Sequence, residues 1–350
     1  MKITKKLNRN KQNTASSLTE YDYYIGLDWS QTGYSLGVLT KNSKHPKYLR
    51  GSADVKSLLA HLRRFRGKKI LTIEETTSTH WLYVELYEAV DKIVVCDPYR
   101  NKLLSEGAKN DDADAGKLSL LLRGGLLKEV YHTMDESYQI RKLISGYEDI
   151  IKMGVRVQNQ KSALYRAEGL KSKKNNELPD KAHIKFVERQ QDLLIEDYRK
   201  IKQSYEKEFN KLRKKIPMID NLCQISGIDT INAVKLYGTV LDARRFPSKN
   251  KYWAYCGLAV HQKISGNKNY GKRKARYSRI LKSVYKTAVI AAIQGNNDIS
   301  EYYRELLSRG YSESKARNAV ARYIATSTLA MMRHNTKYIP YSWRKNDIAQ

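Results

Sequence analysis

The chain has 350 residues, enough for two or three folded domains, and its 65 Lys and Arg against 36 Asp and Glu give a formal net charge of +29. A charge this positive is typical of a protein that binds a polyanion, and a nucleic acid is the expected partner. The sequence contains no apolar run near the roughly 18–20 residues of a membrane span, and no signal-peptide pattern. Its three distant cysteines support neither a disulfide framework nor a zinc knuckle, which favours a cytoplasmic location.

The first part of the chain combines a basic tail with alternating strand and helix patterns. Residues 1–21 are polar and are predicted to form a disordered basic tail. Residues 22–131 predict strands at 23–28, 34–39, 47–50, 69–74 and 92–96, and helices at 55–65, 81–90 and 113–122. Three strands before the first long helix, and alternating units after it, predict an α/β domain of the RNase H-like type, a mixed sheet with helices on its faces.

The rest of the chain is predicted to be helical, because strand patterns stop near residue 135. Residues 132–219 predict a helical, coiled-coil-like linker domain, in which residues 187–216 carry one long apolar stripe. The stripe could pair across a dimer or pack within its own chain, and the sequence leaves both open. Residues 220–350 predict a mainly α-helical basic domain that opens with a helix-hairpin-helix-like turn, Ile225-Ser226-Gly227-Ile228-Asp229, which could present backbone N–H groups to phosphates.

Four carboxylates occupy positions that suit a metal-dependent phosphoryl transfer. Asp28 and Glu74 end two predicted strands, and Asp111 and Asp114 share one face at the start of a predicted helix. Four converging carboxylates repel one another unless cations lie between them, and Mg²⁺ prefers such oxygen ligands, with Mn²⁺ as a substitute. Two ions roughly 3.5–4 Å apart can hold the attacking and leaving oxygens of a phosphodiester. All four acids are therefore predicted to be catalytic metal ligands.

Two neighbouring acids compete for these positions. Glu75 follows Glu74, but strand alternation allows only one of the pair to face the site, and Asp112 lies between the two helix acids. Taken alone, acids at the start of a helix are also typical of residues that complement the helix dipole.

The third region contains a strongly basic window. Residues 243–297 hold thirteen Lys or Arg and no Asp or Glu. A solvated basic face is the ordinary explanation of a charge run, but the absence of acids favours a phosphate-contacting surface. The candidate nucleic-acid contacts are Lys272, Arg273, Lys274, Arg276 and Arg279.

Motifs at both ends of the chain resemble one family, the DEDD transposases of the insertion-sequence-110 family, which includes pilin-gene invertases and bridge-RNA-guided recombinases. The first group is Tyr24-Ile25-Gly26-Leu27-Asp28, Ile73-Glu74-Glu75-Thr76 and Lys109-Asn110-Asp111-Asp112-Ala113-Asp114-Ala115. The second group is Ile225-Ser226-Gly227-Ile228, Trp253-Ala254-Tyr255-Cys256-Gly257-Leu258 and Ile264-Ser265-Gly266.

The resemblance implies a RuvC-like catalytic domain at residues 22–131 and a transposase domain at residues 220–350, whose matching nucleophile is Ser265. A serine hydroxyl needs a base or a metal to become a good nucleophile. The family also implies DNA element ends and target DNA as partners, a structured guide or bridge RNA, and a homodimer or homotetramer that completes the site between protomers. The expected function is that of an insertion-sequence transposase or site-specific recombinase in a prokaryotic cytoplasm, associated with the nucleoid.

Two alternatives remain open. A RuvC-like, Mg²⁺-dependent, structure-selective nuclease would use water in place of Ser265, which would then be an ordinary turn serine. A non-catalytic nucleic-acid-binding protein would use only the basic C-terminal region, and its acids would be dispensable.

Overall fold

The computed structural model describes residues 20–101, 110–134, 137–171, 176–266, 268–273 and 275–341. The predicted disordered tail therefore lies outside the described residues, apart from Glu20 and Tyr21. The chain divides into two compact units, Met1–Met134 and Asp135–Gln350. Among the described helices, none is both long and apolar enough to cross a membrane.

The first unit is built on a five-stranded mixed sheet. The strands are β1 (Tyr23–Trp29), β2 (Gly33–Thr40), β3 (Lys47–Ser52), β4 (Lys69–Glu74) and β5 (Lys92–Cys96), in the spatial order β3-β2-β1-β4-β5. Strand β2 is antiparallel to both β1 and β3, whereas β4 is parallel to both β1 and β5. This confirms the predicted mixed α/β sheet at the start of the chain.

Helices cover both faces of this sheet. Helices α1 (Val55–Arg64) and α2 (Thr79–Leu86) pack on one face, where their leucines join Leu27 and Ile73 in a buried core. Helix α3 (Asp111–Arg123) lies on the other face, where its Leu122 packs with Tyr24 and Ile70. Alternate residues of β1 and β4 therefore face opposite helices, as strand geometry requires.

Two glycines let α3 lie directly against the sheet. Gly26 on β1 pairs with Gly37 on β2. A Cβ atom at Gly26 would lie 2.2 Å from the carbonyl oxygen of Ala115, and one at Gly37 would lie 2.4 Å from the same atom. Neither position has room for a side chain, so the backbone of α3 approaches the strands as closely as backbone atoms allow.

The second unit begins with two long helices, α4 (Ser137–Ala167) and α5 (Ala182–Lys215). They run antiparallel, because Tyr165 contacts Glu188 and Tyr147 contacts Glu206. The apolar stripe packs within its own chain at Phe209, which is fully buried and lies 5.1 Å from Tyr147 between ring centroids.

The remaining elements of the second unit are mainly helical. They are α6 (Pro217–Leu222), α7 (Thr230–Val240), a single 3-10 turn (Ala243–Arg245), α8 (Lys249–Tyr255), β6 (His261–Ser265), β7 (Lys268–Arg273), α9 (Arg279–Ile293), α10 (Asp298–Ser308) and α11 (Glu313–His334). Buried residues of α4, α5, α7, α9 and α11 belong to one core. The division into a separate linker domain and C-terminal domain stays a prediction.

The expectation that strands end near residue 135 is wrong at β6 and β7, which form an antiparallel hairpin. The described side chains of this hairpin are exposed, including Ile264 and Tyr270 at 60% each. Because the hairpin buries no face, its sequence lacks the alternation of apolar and polar residues by which a half-buried strand is recognised.

Candidate active site

Asp28 and Glu74 are neighbours at the carboxyl ends of two parallel strands. The register of β1 and β4 pairs Leu27 with Ile73, and the two acids are the next residues on their strands. Since Leu27 and Ile73 face the core under α1 and α2, Asp28 and Glu74 lie on the opposite face, the one that α3 covers. The strands therefore direct both carboxylates toward the same helix.

Asp111 and Asp114 lie in the first turn of that helix. Asn110 caps α3, because its side-chain oxygen accepts a hydrogen bond from the backbone N–H of Ala113 at 2.7 Å. The close approach of α3 to Gly26 brings this first turn toward the end of β1.

The electrostatics show that the four acids are close enough to influence one another. Burial raises the pKa of Asp28, and the charges of Asp111 and Asp114 raise it further. Burial likewise raises the pKa of Glu74, with added repulsion from Asp28 and Asp114. This mutual repulsion is the property that a bound cation would relieve, and an all-carboxylate set suits a hard divalent ion such as Mg²⁺.

The acids do not form a closed ligand set in the described part of the chain, where no group of three or more Asp, Glu, His or Cys side chains is arranged to hold an ion. One of the acids forms an ion pair instead: Lys117 Nζ lies 3.2 Å from Asp114 Oδ1. A cation bound by Asp114 would therefore compete with the Lys117 ammonium. No pattern in the sequence assigned Lys117 to the site.

Asp112 is bound to residues of the sheet. Its carboxylate receives hydrogen bonds from the Arg50 guanidinium on β3 and from the Ser35 hydroxyl on β2, and these bonds lower its pKa. Ser35 is the cross-strand partner of Asp28. Asp112 therefore fastens the start of α3 to the sheet, and sequence reasoning missed both of its partners.

Ser265 lies in the second unit, as the last residue of β6. It is exposed, and its backbone partner across the hairpin is Lys268. Gly266 follows in the turn with φ of +53°, a conformation that favours glycine. The geometry thus presents the Ser265 hydroxyl at the tip of an exposed hairpin.

The residues predicted to contact nucleic acid lie on this hairpin or in the segment that follows it. Lys272 and Arg273 are exposed on β7, Arg276 is exposed in the following segment, and Arg279 is exposed at the start of α9. Lys274 lies outside the described residues.

Comparison with models of protein families identifies the family of this chain. A model of DEDD transposases of the IS110 type matches residues 25–166, and a model of the "Transposase IS116/IS110/IS902 family" matches residues 219–304. The chain belongs to the IS110 family of DEDD transposases. No curated protein matches the chain. A transposase binds DNA, and the two matched ranges contain all four acids, Ser265 and the basic residues.

In this transposase, the helix-hairpin-helix-like turn has a clear packing role. Gly227 has φ of +88°, and a Cβ there would lie 2.1 Å from the carbonyl oxygen of Ala288 on α9. Asp229 caps α7 by accepting a hydrogen bond from Asn232 N–H at 2.7 Å. The requirement for glycine therefore follows from packing, and phosphate contact at this turn stays a prediction.

Proposed function

We propose that this transposase cuts and rejoins DNA strands by attack of the Ser265 hydroxyl on a phosphodiester, assisted by divalent cations, two Mg²⁺ ions in the simplest case. Asp28, Glu74, Asp111 and Asp114 would hold the ions. The observation that carries the proposal is the placement of Asp28 and Glu74 side by side at the ends of β1 and β4, facing the helix whose first turn carries Asp111 and Asp114. Such a cluster is costly to maintain unless a cation binds to it.

The order of strands supports the further proposal that the first unit has an RNase H-like fold. Three antiparallel strands come first, and β4 and β5 then extend the sheet in parallel on the other side of β1. In this arrangement, the end of the central strand β1 lies next to the end of β4 and faces α3, which are the two other elements that carry acids. Asp28 occupies that position.

The chemistry divides between metal ligands and a nucleophile. Bound Mg²⁺ would polarise the phosphate and stabilise the charge that develops on its oxygens. Attack by Ser265 Oγ forms a phosphoserine ester while the bond from phosphorus to the leaving deoxyribose oxygen breaks, and the serine proton ends on the released hydroxyl. Because the ester conserves the linkage, a hydroxyl from another strand can reverse the reaction and complete strand exchange.

The basic surface supports the proposed partners. Exposed Lys272, Arg273, Arg276 and Arg279 would contact phosphates of DNA or of a structured guide RNA, and the net charge of +29 favours association with either polyanion. The proposal includes assembly as a homodimer or homotetramer on the DNA.

The test is to trap a covalent protein–DNA adduct. Protein, element-end DNA, RNA transcribed from the flanking sequence and Mg²⁺ are combined and separated on a denaturing gel. We expect an adduct in the wild type that is lost in Ser265→Ala and in Asp28→Asn. The matched controls are Ser308→Ala, an exposed serine on α10, and Glu208→Gln, an acid on α5 whose side chain is 46% exposed; both should form the adduct.

The two alternative functions predict different outcomes of this experiment. Cleaved DNA without an adduct, unaffected by Ser265→Ala, would identify a nuclease that uses water. DNA binding that is unchanged in Asp28→Asn, with neither cleavage nor adduct under any metal, would identify a binding protein.

A further inference from the structure

We propose that Trp81 is a stacking site for an unpaired nucleobase at the edge of the sheet where β1 and β4 end, an inference that rests on the proposed function in that it assigns a further contact to the same DNA. Trp81 lies near the start of α2 and is 45% exposed, whereas large aromatic side chains of folded proteins are mostly covered. Its support, its position and its surroundings all suit a flat, uncharged ligand.

A row of aromatic rings packs against Trp81. It meets Trp29 edge to face, with ring centroids 5.6 Å apart and an angle of 74°. Trp29 in turn stacks flat on Tyr34, with centroids 5.8 Å apart and an angle of 2°. Tyr34 is buried, and its hydroxyl hydrogen-bonds to His61 Nδ1 at 2.9 Å. A ring supported in this way is already ordered before a ligand arrives, so binding costs little conformational entropy.

This row lies where the two strands that carry Asp28 and Glu74 end, on the face of the sheet that α1 and α2 cover. Trp29 follows Asp28 directly on β1. The Thr79 hydroxyl, two residues before Trp81, donates a hydrogen bond to the backbone carbonyl of Glu74 at 2.7 Å. Thr79 is buried and also accepts a hydrogen bond from the Thr76 N–H at 2.6 Å. Ring contacts and a hydrogen bond therefore fix Trp81 relative to the backbone at Asp28 and Glu74, whose side chains face α3 on the other side of the sheet.

The surroundings of Trp81 fit a base better than a phosphate. Val84, three residues along α2, is 38% exposed and extends the apolar surface. Glu85, four residues along, is exposed on the same side and would repel a phosphate. A nucleobase is uncharged and offers a flat face that stacks on aromatic rings.

The base must be unpaired, because in a continuous duplex both of its faces are covered by neighbouring bases. Strand exchange supplies such bases, since a strand that changes partners must first leave its complement. Stacking on a side chain then replaces part of the stacking energy that the base loses. Trp81 would thus favour DNA that is locally unpaired.

The test compares binding of two DNA duplexes of the same sequence, one fully paired and one with a short central unpaired bubble. Affinities of the full-length protein are measured without divalent cation, which separates binding from chemistry. We expect the wild type to prefer the bubble by roughly tenfold, the size of one base–aromatic stack. Trp81→Ala should lose this preference, and Trp81→Phe should keep most of it. Tyr311→Ala removes an aromatic side chain of similar exposure (46%) in the second unit and should behave as wild type.

Cross-linking gives a second readout that does not depend on the folding of a variant. A 5-iodouracil in the bubble, irradiated in complex with the wild-type protein, should attach to the peptide that contains Trp81. Attachment elsewhere, equal affinity of the wild type for both duplexes, or an unchanged preference in Trp81→Ala would overturn the inference. A failed adduct experiment would leave this binding result standing, so the two proposals can fail separately.

Discussion

Arg50 holds Asp112 through two parallel hydrogen bonds, Nε to Oδ1 at 2.9 Å and Nη2 to Oδ2 at 2.6 Å. The pair links β3 to the first turn of α3, and Asp112 lies between Asp111 and Asp114. A planar guanidinium that meets a carboxylate in this way fixes direction as well as distance. The contact therefore sets the rotation of the helix start that carries two of the four acids.

The first prediction concerns Arg50→Ala. We expect roughly a tenfold loss in Mg²⁺ affinity or strand cleavage, as for other residues that orient metal ligands, with little change in melting temperature because Arg50 is 74% exposed. Titrating cleavage against Mg²⁺ measures the effect. Arg50→Lys should recover only part of it, since an ammonium cannot make both bonds. A melting temperature that falls as far as the activity would indicate a general structural role instead.

The second prediction concerns the contact between α3 and the sheet. Gly26→Ala or Gly37→Ala should destabilise the protein by about 1–3 kcal/mol, because a Cβ would overlap the Ala115 carbonyl and push the helix outward. Cleavage should also fall, since Asp111 and Asp114 would move with α3. Chemical denaturation and cleavage assays measure the two effects. Gly124→Ala, at the end of α3 where the nearest atom is 3.4 Å from the added Cβ, is the tolerated control.

The third prediction concerns the repulsion among the acids. Mg²⁺ at a hundred times its dissociation constant should stabilise the wild type by about 2.7 kcal/mol, the linkage expected for one site. In EDTA, Asp28→Asn should be at least as stable as the wild type, because it removes a charge that Asp111 and Asp114 repel. It should gain much less from Mg²⁺. Thermal melts with and without Mg²⁺ measure both; Glu208→Gln should respond as wild type.

The fourth prediction concerns pH and the α4–α5 pair. The hydroxyl of Tyr165 donates to Glu188 Oε1 at 2.6 Å, and this bond, with nearby Lys185 and Lys161, lowers the pKa of Glu188. The same bond is the main reason that the pKa of Tyr165 rises to about 12. The carboxylate thus contributes stability above its ordinary pKa, and this contribution is lost as pH falls through its lowered value. The tyrosine's contribution is present below its ordinary pKa and is lost as pH rises toward 12.

Glu188→Gln should therefore be less stable than the wild type by about 1 kcal/mol at neutral pH, the size of one partly exposed hydrogen bond to a charge. The difference should shrink in acid, once Glu188 is protonated in both states. Denaturation at neutral and acid pH measures it, and a difference that is constant with pH would contradict the assignment.

The fifth prediction concerns the basic surface around the β6–β7 hairpin. Replacing Lys272, Arg273, Arg276 and Arg279 with Gln should reduce the slope of log affinity against log salt by up to about 3–4, close to 0.9 for each phosphate that is no longer neutralised. DNA-binding titrations over a range of salt concentrations measure the slope. Lys211→Gln, on α5 and paired with Glu208, should leave it unchanged. An equal loss of affinity at every salt concentration would exclude phosphate contact as the cause.

The sequence predicted the parts of the fold that depend on local pattern. Four strands of the first unit, β1, β2, β4 and β5, are short runs of buried residues, and α3 begins after a capping Asn110, so their limits could be predicted closely. Asp28 and Glu74 could be brought together because both end strands. That they share one face with α3, and that Gly26 makes the approach possible, required the register of the sheet.

Other features had no local pattern to reveal them. Arg50 and Asp112 are 62 residues apart, and nothing in either segment indicates that they pair. The β6–β7 hairpin is held by backbone bonds between polar residues, so its strands lacked apolar alternation. The aromatic row behind Trp81 joins residues from two strands and two helices, and each of these residues alone reads as an ordinary core position.

Side chains alternate along β1, so the register of this strand decides both the packing of the core and the position of Asp28. Leu27 faces the apolar core under α1 and α2 and Asp28 faces α3, so a shift of this strand by one residue would turn the acid into that core and the leucine toward α3. A chain in the wrong register would then lose its core and the proposed metal ligand together. Misfolded copies of this transposase are therefore expected to be unstable rather than stably folded and wrongly active.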